Sequence, residues 1–174
     1  MNGERVGAVT FKGHPLTVLG EPVKVGDKAP EFTVIDNDLN VRCLRDYAGK
    51  VKLIAAVPSL DTGVCDAETR RWNQVASELS DDVVILTISA DLPFAQKRWC
   101  GAAGVDRVIT LSDHRDMSFA LSYGTYVKEL RLEQRAVFII DKEDVIRYVE
   151  YVPEIAQHPD YEAALETLRE VLKG

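Results

Sequence analysis

The sequence has little sulfur and no long apolar run. Among its 174 residues are only three cysteines and two methionines, and such an odd, sparse set of cysteines does not make the disulfide framework of a small secreted scaffold. No stretch reaches the roughly 20 consecutive apolar residues that a membrane-spanning helix needs. The first residues, MNGERVGAVTFKGH, lack the apolar core of a secretory signal. We therefore expect a soluble, cytoplasmic protein that does not associate with a membrane.

Long blocks of one charge are also missing. The 28 acidic and 21 basic side chains give a net charge of -7, and their dispersal argues against nucleic acid or an anionic membrane as the main partner. The chain has no glycine-rich phosphate loop and no CxxC pair. Its three histidines lie in predicted turns and lack metal-ligand spacing with a cysteine; they are His14, His114 and His158. We expect no cofactor and no metal, so that any redox chemistry rests on sulfur.

The apolar residues that are present follow the pattern of an α/β fold. Short apolar runs have the form of strands buried on both faces, and helical patterns alternate with them. This alternation predicts a mixed central sheet with helices on both faces, in one domain over residues 1–174 that begins with an N-terminal β-hairpin at about 5–20. The predicted strands are 32–35, 41–44, 52–57, 83–89, 136–141 and 145–152, and the predicted helices are 62–79, 93–103, 116–123 and one from 159 to the end.

The stretch PSLDTGVCD, residues 58–66, places Cys65 where a predicted strand turns into a helix. The unpaired N–H groups and partial positive charge of a helix start favour an anion, and the thiolate is the nucleophilic form of cysteine. Thr62 or Asp61 is expected to cap this helix. Position alone nevertheless favours a small core residue, because free cysteine is among the most buried residue types. A reactive thiolate is the alternative.

A shielded thiolate at Cys65 needs a cation. The helical register turns the sulfur inward, and Glu68, three residues further on, opposes its ionisation. Arg70 and Arg71 project to other sides of the helix. Arg135, at the start of the predicted strand RAVFIID, is therefore our candidate for the cation.

The motif around Cys65 resembles the PxxxTxxC signature of the peroxiredoxins, with Pro58, Thr62 and Cys65 at its three motif positions. Further segments resemble the thiol peroxidase branch of that family, the atypical two-cysteine type, in the same order and over nearly the whole chain. They are SADLPFAQKRWCG, VITLSDHRD, KELRLEQRAVFIID and PDYEAALETL. The resemblance implies a thioredoxin-like fold, reduction of hydrogen peroxide and organic (alkyl and lipid) hydroperoxides, thioredoxin as the reductant and a homodimer.

The resemblance also implies a role for each site residue. Cys65 is the peroxidatic cysteine, Thr62 hydrogen-bonds the peroxide and the thiolate, and Pro58 shields the site from water. Arg135 stabilises the thiolate and the developing charge. Cys100, in PFAQKRWCG, takes the place of the resolving cysteine, which condenses with the Cys65 sulfenic acid to form a redox-active intramolecular disulfide.

Formation of this disulfide should disturb the helices that carry the two cysteines. Disulfide-bonded residues have Cα atoms within about 7 Å, and two ordered helices do not easily allow that. Gly101 follows Cys100 directly, and glycine inside a helix costs about 1 kcal/mol relative to alanine. We therefore expect oxidation to melt part of one or both helix ends.

The sequence leaves more than one interpretation open for several other features. The same cysteine pair would serve a redox-sensing protein whose disulfide changes its binding, so a signalling role is the alternative function. Residues 123–134 are expected to shape the substrate pocket, along a course that the sequence does not reveal. A further group forms part of the core, lines an acyl pocket or provides a dimer contact; its members are Met117, Phe119, Tyr123 and Tyr126. Cys43 has no matching role and is interpreted as a strand residue.

Overall fold

The chain folds into two sheets and a set of helices. The computed structural model describes residues 3–173, and within them it has eleven strands and four α-helices. In chain order the elements are β1 Arg5–Phe11, β2 His14–Leu19, β3 Thr33–Ile35, β4 Val41–Cys43, a 3-10 helix Leu44–Tyr47, β5 Val51–Ala56, α1 Gly63–Ser77, β6 Val83–Ser89, α2 Pro93–Ala103, β7 Ile109–Ser112, α3 Ser118–Tyr123, β8 Tyr126–Val127, β9 Leu132–Glu133, β10 Ala136–Ile140, β11 Ile146–Tyr151 and α4 Tyr161–Lys173.

The larger sheet has seven strands in the order β11-β10-β5-β6-β7-β3-β4. Its centre, β5-β6-β7, is parallel, and the flanking strands pair antiparallel. Successive residues of β5 face opposite sides, as the pleat of a strand requires. Ile54 and Ala56 lie in one core cluster, whereas Leu53 and Ala55 lie in the other. The sheet is therefore buried on both faces, as the apolar runs predict.

Helices cover both faces. The cluster around Leu53 includes Trp72 of α1 and the apolar side of α4, with Trp99 of α2 packed against it. The opposite cluster includes Phe119 and Tyr123 of α3, whose rings stack with centroids 4.4 Å apart. These two aromatic side chains have the core role, and they are too buried to provide a dimer contact. Met117 and Tyr126 are half-buried.

The smaller sheet explains the course of residues 123–134. Its strand order is β1-β2-β8-β9, so the N-terminal hairpin pairs with β8 through Val18 and Val127. β8 and β9 then form their own antiparallel pair. This sheet leads the chain through Glu133 and Gln134 directly to Arg135 at the start of β10. The mixed sheet, the helices on both faces and the N-terminal hairpin are all as predicted.

Several elements differ from the sequence prediction, which did not include β8, β9 or the 3-10 helix. β7 was not predicted as a strand, because Thr110 and Ser112 are polar, yet both are buried beside β6. α3 begins at Ser118 rather than at residue 116, since Met117 has a left-handed backbone with φ of 49°. The carboxylate of Asp113 accepts the N–H groups of Phe119 and Ala120, which satisfies the free donors of the first turn.

Candidate active site

Cys65 lies in the first turn of α1, at the carboxyl end of the central strand β5. The side chain is 0 % exposed and packs with Val57 and Leu60, with Trp99 of α2 against the same cluster. The inward orientation that the register predicts is thus observed. A thiol in this place lies at the positive end of the helix dipole and is shielded from bulk water.

Arg135 reaches this sulfur because of the strand register. β10 pairs antiparallel with β5 so that Ala136 lies opposite Ala56, and Arg135 therefore lies beside the chain as it leaves β5. Its Nη2 donates to Sγ of Cys65 at 3.1 Å and to the carbonyl oxygen of Ile155 at 2.9 Å. The guanidinium is 1 % exposed. The structure thus places Arg135, which the sequence analysis chose as the candidate cation, next to Cys65.

A buried glutamate holds the other side of the guanidinium. Nη1 of Arg135 donates to Oε1 of Glu68 at 2.7 Å, and Nε1 of Trp72 donates to Oε2 of Glu68 at 2.9 Å. Sequence reasoning treated Glu68 only as a charge that opposes the thiolate and did not identify it as the partner of Arg135. The available signal was the spacing of Cys65, Glu68 and Trp72, which places all three on one helical face.

The charges at this site depend on one another. Burial opposes the charge on Arg135, but the Cys65 sulfur and the Glu68 carboxylate raise the pKa of Arg135 above its ordinary value. Burial likewise raises the pKa of Glu68, and this effect is opposed by Arg135 and by the Trp72 hydrogen bond. Removing one member of such a buried pair leaves the other charge uncompensated. The cation beside Cys65 is therefore fixed in both charge and position.

Thr62 and Pro58 lie in the loop between β5 and α1. Thr62 is the N-cap residue, but its side chain makes no capping hydrogen bond, so the expected side-chain cap is wrong for Thr62. Its hydroxyl instead donates to the carbonyl oxygen of Ser59 at 3.0 Å, and the side chain is exposed. Pro58 is buried. The structure thus leaves the Thr62 side chain exposed and bonded to Ser59 rather than to Cys65, and it buries Pro58 within the loop.

A residue that sequence reasoning missed anchors this loop. Oδ1 of Asp91 accepts the Ser59 hydroxyl at 2.7 Å, and Oδ2 accepts the N–H of Leu60 at 2.8 Å and the Ser89 hydroxyl at 2.7 Å. Asp91 lies two residues after the end of β6 at Ser89. The loop before Cys65 is therefore tied to the end of the neighbouring strand.

Cys100 lies on α2 and is half-buried. Its Sγ is 3.4 Å from Oγ1 of Thr110, on the side of α2 that faces β7. Trp99, the preceding residue, points to α1, where its Nε1 donates to Oδ2 of Asp66 at 2.9 Å. Both Cys65 and Cys100 are free thiols.

The apolar residues at and just before α2 do not form a buried stripe. Leu92, Ala95 and Ala102 all have exposed side chains. Ala95 and Ala102 line a cleft between α2 and the loop at Leu60. The face of α2 that is buried contains Pro93 and Gln96, and Nε2 of Gln96 donates to the Ser89 hydroxyl and to the carbonyl oxygen of Leu111.

Cys43 is buried at the end of edge strand β4. Its thiol donates to Oδ2 of Asp46 at 3.4 Å. Burial and the Asp46 carboxylate both raise the pKa of Cys43, and a protonated thiol is a poor nucleophile.

Residues 3–173 contain neither a candidate metal site nor a candidate membrane-spanning helix. No group of three or more histidine, cysteine, aspartate or glutamate side chains in this range is arranged to hold a metal ion. Within the same range, no helix has the length and apolar character needed to cross a membrane.

The mixed sheet, with a buried thiol at a helix start and a buried guanidinium beside it, defines a thioredoxin-like protein of the peroxiredoxin class. Comparison with known proteins agrees, since residues 24–165 match the family described as Redoxin. The chain is 58% identical over 165 residues to a thiol peroxidase of Halalkalibacterium halodurans, which covers 95% of this chain and 99% of the relative. It is 56% identical over 165 residues to a thiol peroxidase of Bacillus subtilis, with coverage of 95% and 98%.

A solved structure shows the same relationship. The crystal structure of a peroxiredoxin-like protein from Aquifex aeolicus matches with a TM-score of 0.89 at 38% identity, and the match covers 98% of this chain and 99% of that chain. The chain therefore belongs to the Redoxin family and, within it, to the thiol peroxidases, which are enzymes of the peroxiredoxin type. The predicted family, fold class and thiol-dependent peroxidase activity are thereby confirmed.

Proposed function

We propose that this thiol peroxidase reduces hydrogen peroxide and organic hydroperoxides, both alkyl and lipid, at Cys65. The observation that carries the proposal is the 3.1 Å contact between Nη2 of Arg135 and the fully buried Sγ of Cys65. The guanidinium stabilises the thiolate before reaction. It also stabilises the negative charge that develops on the departing oxygen, and fixed donors do this best where water is excluded.

The reaction at Cys65 is a displacement at oxygen. The thiolate attacks one peroxide oxygen, the O–O bond breaks, and the second oxygen leaves and takes up a proton as water or an alcohol. The sulfur is oxidised to a sulfenic acid. Most of the rate must come from holding the O–O bond in line with the sulfur, because a larger thiolate fraction alone raises the rate only some tens of fold.

Thr62 and Pro58 complete the peroxide pocket in this proposal. The Thr62 hydroxyl is exposed and donates to the carbonyl oxygen of Ser59, so it can turn to the peroxide and the thiolate without breaking a helix cap. Pro58 is buried within the loop and brings no N–H group that would attract water. Asp91 keeps both residues in place through Ser59 and Leu60.

The sulfenic acid is resolved by Cys100. The Cys100 thiol attacks the sulfenic sulfur, the S–S bond forms, and the oxygen leaves with the thiol proton as water. Thioredoxin, an external dithiol, then reduces the Cys65–Cys100 disulfide. Its own two thiols are oxidised to a disulfide in this exchange. Such a cycle needs a reducing compartment, which supports a cytoplasmic location. It uses no cofactor or metal.

The active form in this proposal is a homodimer. Three apolar side chains near the start of α2 and the β3–β4 turn are exposed: Phe94 by 67 %, Leu39 by 50 % and Leu92 by 47 %. Phe94 and Leu39 line one groove together with His114 and Arg115. Exposed apolar groups of this size favour a protein contact. Analytical ultracentrifugation of wild type and Phe94→Glu tests the contact, and we expect the variant to sediment as a monomer.

Cysteine substitutions test the catalytic cycle. Cys65→Ser should lose peroxide reduction, whereas Cys100→Ser should reduce the first equivalent of peroxide and then fail to turn over with thioredoxin and its reductase. Cys43→Ser is the matched control and should retain turnover. Hydrogen peroxide and cumene hydroperoxide are compared in the same assay. Peroxide consumption by Cys65→Ser at the wild-type rate would contradict the proposal.

A further inference from the structure

The resolving thiol is held in a short chain of hydrogen bonds. Sγ of Cys100 lies 3.4 Å from Oγ1 of Thr110, and the same hydroxyl donates to Oδ1 of Asn37 at 3.0 Å. A threonine hydroxyl has a single proton to donate. Because that proton is directed to Asn37, the Cys100 thiol is the donor to Thr110.

This chain lies on the side of α2 that faces away from Cys65. Thr110 belongs to β7 and is 2 % exposed, and Asn37 is in the turn between β3 and β4. Trp99 precedes Cys100 by one residue and packs against the Cys65 cluster. Successive residues of a helix point about 100° apart. With Trp99 directed to α1, Cys100 is turned toward β7 and held there.

We propose that Thr110 and Asn37 are positioning residues that restrain Cys100 and thereby slow the resolution step. This inference rests on the proposed role of Cys100 as the resolving cysteine. Before the Cys100 sulfur can attack the Cys65 sulfenic acid, it has to leave the Thr110 hydroxyl, so the lost hydrogen bond adds to the barrier. The S–S bond then forms and water departs with the thiol proton, with no outside oxidant.

The restraint has a functional consequence. While the sulfenic acid waits for Cys100, a second peroxide can oxidise it to the sulfinic acid, which does not form a disulfide. Slow resolution therefore lowers the peroxide concentration at which the enzyme is inactivated. Thr110 and Asn37 set this limit without contact with Cys65 or the peroxide.

The variant Thr110→Val tests the inference, because it removes the hydroxyl and keeps the shape of a buried β-branched side chain. Thr110→Ser keeps the hydroxyl and is the matched control. Reduced protein is mixed with peroxide, the first step and disulfide formation are followed by tryptophan fluorescence, and the products are counted by mass spectrometry. Thr110→Val should form the disulfide roughly threefold to tenfold faster, as expected for one lost hydrogen bond, with the first step unchanged and less sulfinic acid.

The outcomes separate this inference from the proposed function. Thr110→Ser should behave as wild type, and Asn37→Ala should move the rate in the same direction as Thr110→Val by a smaller factor. An unchanged first step also shows that the variant has folded. Equal or slower disulfide formation in Thr110→Val overturns the restraint while leaving the catalytic cycle intact. A wild-type protein that forms no Cys65–Cys100 disulfide overturns the proposed function and the restraint together.

Discussion

Nη2 of Arg135 lies 3.1 Å from Sγ of Cys65, although 70 residues separate them in the sequence. Three elements create this contact: α1 presents the sulfur, β10 carries the guanidinium to the end of β5, and the loop after β11 supplies the Ile155 carbonyl that fixes Nη2. Glu68 fixes Nη1. The guanidinium is thus held at both Nη1 and Nη2, and it directs Nη2 at the sulfur.

Replacing Arg135 by lysine should cost roughly 10²-fold in the rate constant for peroxide reduction, the usual loss for one fixed donor at a developing charge. Lysine keeps the positive charge beside Glu68 but lacks the planar fork that contacts Glu68, Cys65 and Ile155 together. Stopped-flow mixing with hydrogen peroxide measures this rate. Arg70→Lys, on the exposed side of α1, is the control and should stay within about twofold of wild type. An Arg135→Lys enzyme as fast as wild type would show that charge alone is sufficient.

Oxidation should reduce the order of the C-terminal part of α2. Cys100 faces β7 and the Trp99 ring lies against the Cys65 cluster, so Cα atoms within about 7 Å of each other require this helix end to unwind. Hydrogen exchange measured on the reduced and disulfide forms should show lost protection around Trp99 to Ala103. Peptides from α4 serve as the internal control and should not change. Equal protection of α2 in both forms would refute this prediction.

Glu133 should make stability fall as pH rises. Its side chain is fully buried, and burial together with Asp113 raises the pKa of Glu133 well above its ordinary value, against the effect of the Thr125 hydroxyl. The folded state therefore holds a proton that the unfolded chain releases near pH 4.5. The stabilisation is complete below that pH and is lost as pH rises toward the folded pKa, by about 1.4 kcal/mol for each unit of difference.

Urea unfolding at a series of pH values checks this dependence. Glu133→Gln carries no proton to lose, so its free energy of unfolding should decline less than that of wild type between about pH 5 and pH 8. Glu166→Gln, an exposed site, is the control and should follow the wild-type curve. Parallel curves for wild type and Glu133→Gln would contradict the prediction.

Cys43 should take no part in turnover. Burial and the neighbouring Asp46 carboxylate raise its pKa, so its thiol stays protonated at neutral pH. Alkylation of the native protein with iodoacetamide, followed by mass spectrometry, should label Cys43 more slowly than Cys100. Cys43→Ala should turn over peroxide within about twofold of wild type. Faster labelling of Cys43 would show that the segment at β4 opens in solution.

The sequence predicted those parts of the site that depend on local pattern. The strand before Pro58, the helix start at Thr62 and the inward register of Cys65 all follow from periodicity over a few residues. Arg135 was found because it begins an apolar run and a cation was needed. Each of these features belongs to a single element, and the residue pattern of a single element is visible in a short stretch of sequence.

The partners that join elements could not be predicted in the same way. The spacing of Cys65 and Glu68 places both on one helical face, but their shared contact with Arg135 depends on β10 lying beside β5. Asp91 is recognisable as a loop anchor only when β6 is known to end beside Ser59. Thr110 lies in a strand whose polar residues concealed it from pattern analysis. Each of these roles depends on the strand order of the larger sheet, which apolar periodicity does not specify.

The pairing of Ala136 with Ala56 makes reactivity a property of the finished fold. A slip of one residue between β10 and β5 would turn every side chain of β10 to the opposite face and would carry the guanidinium away from the sulfur. A newly synthesised chain carries the Cys65 thiol well before residue 135 can reach it. In the proposed mechanism, Cys65 therefore becomes sensitive to peroxide only after β10 has paired with β5, so that the enzyme does not consume oxidant while it folds.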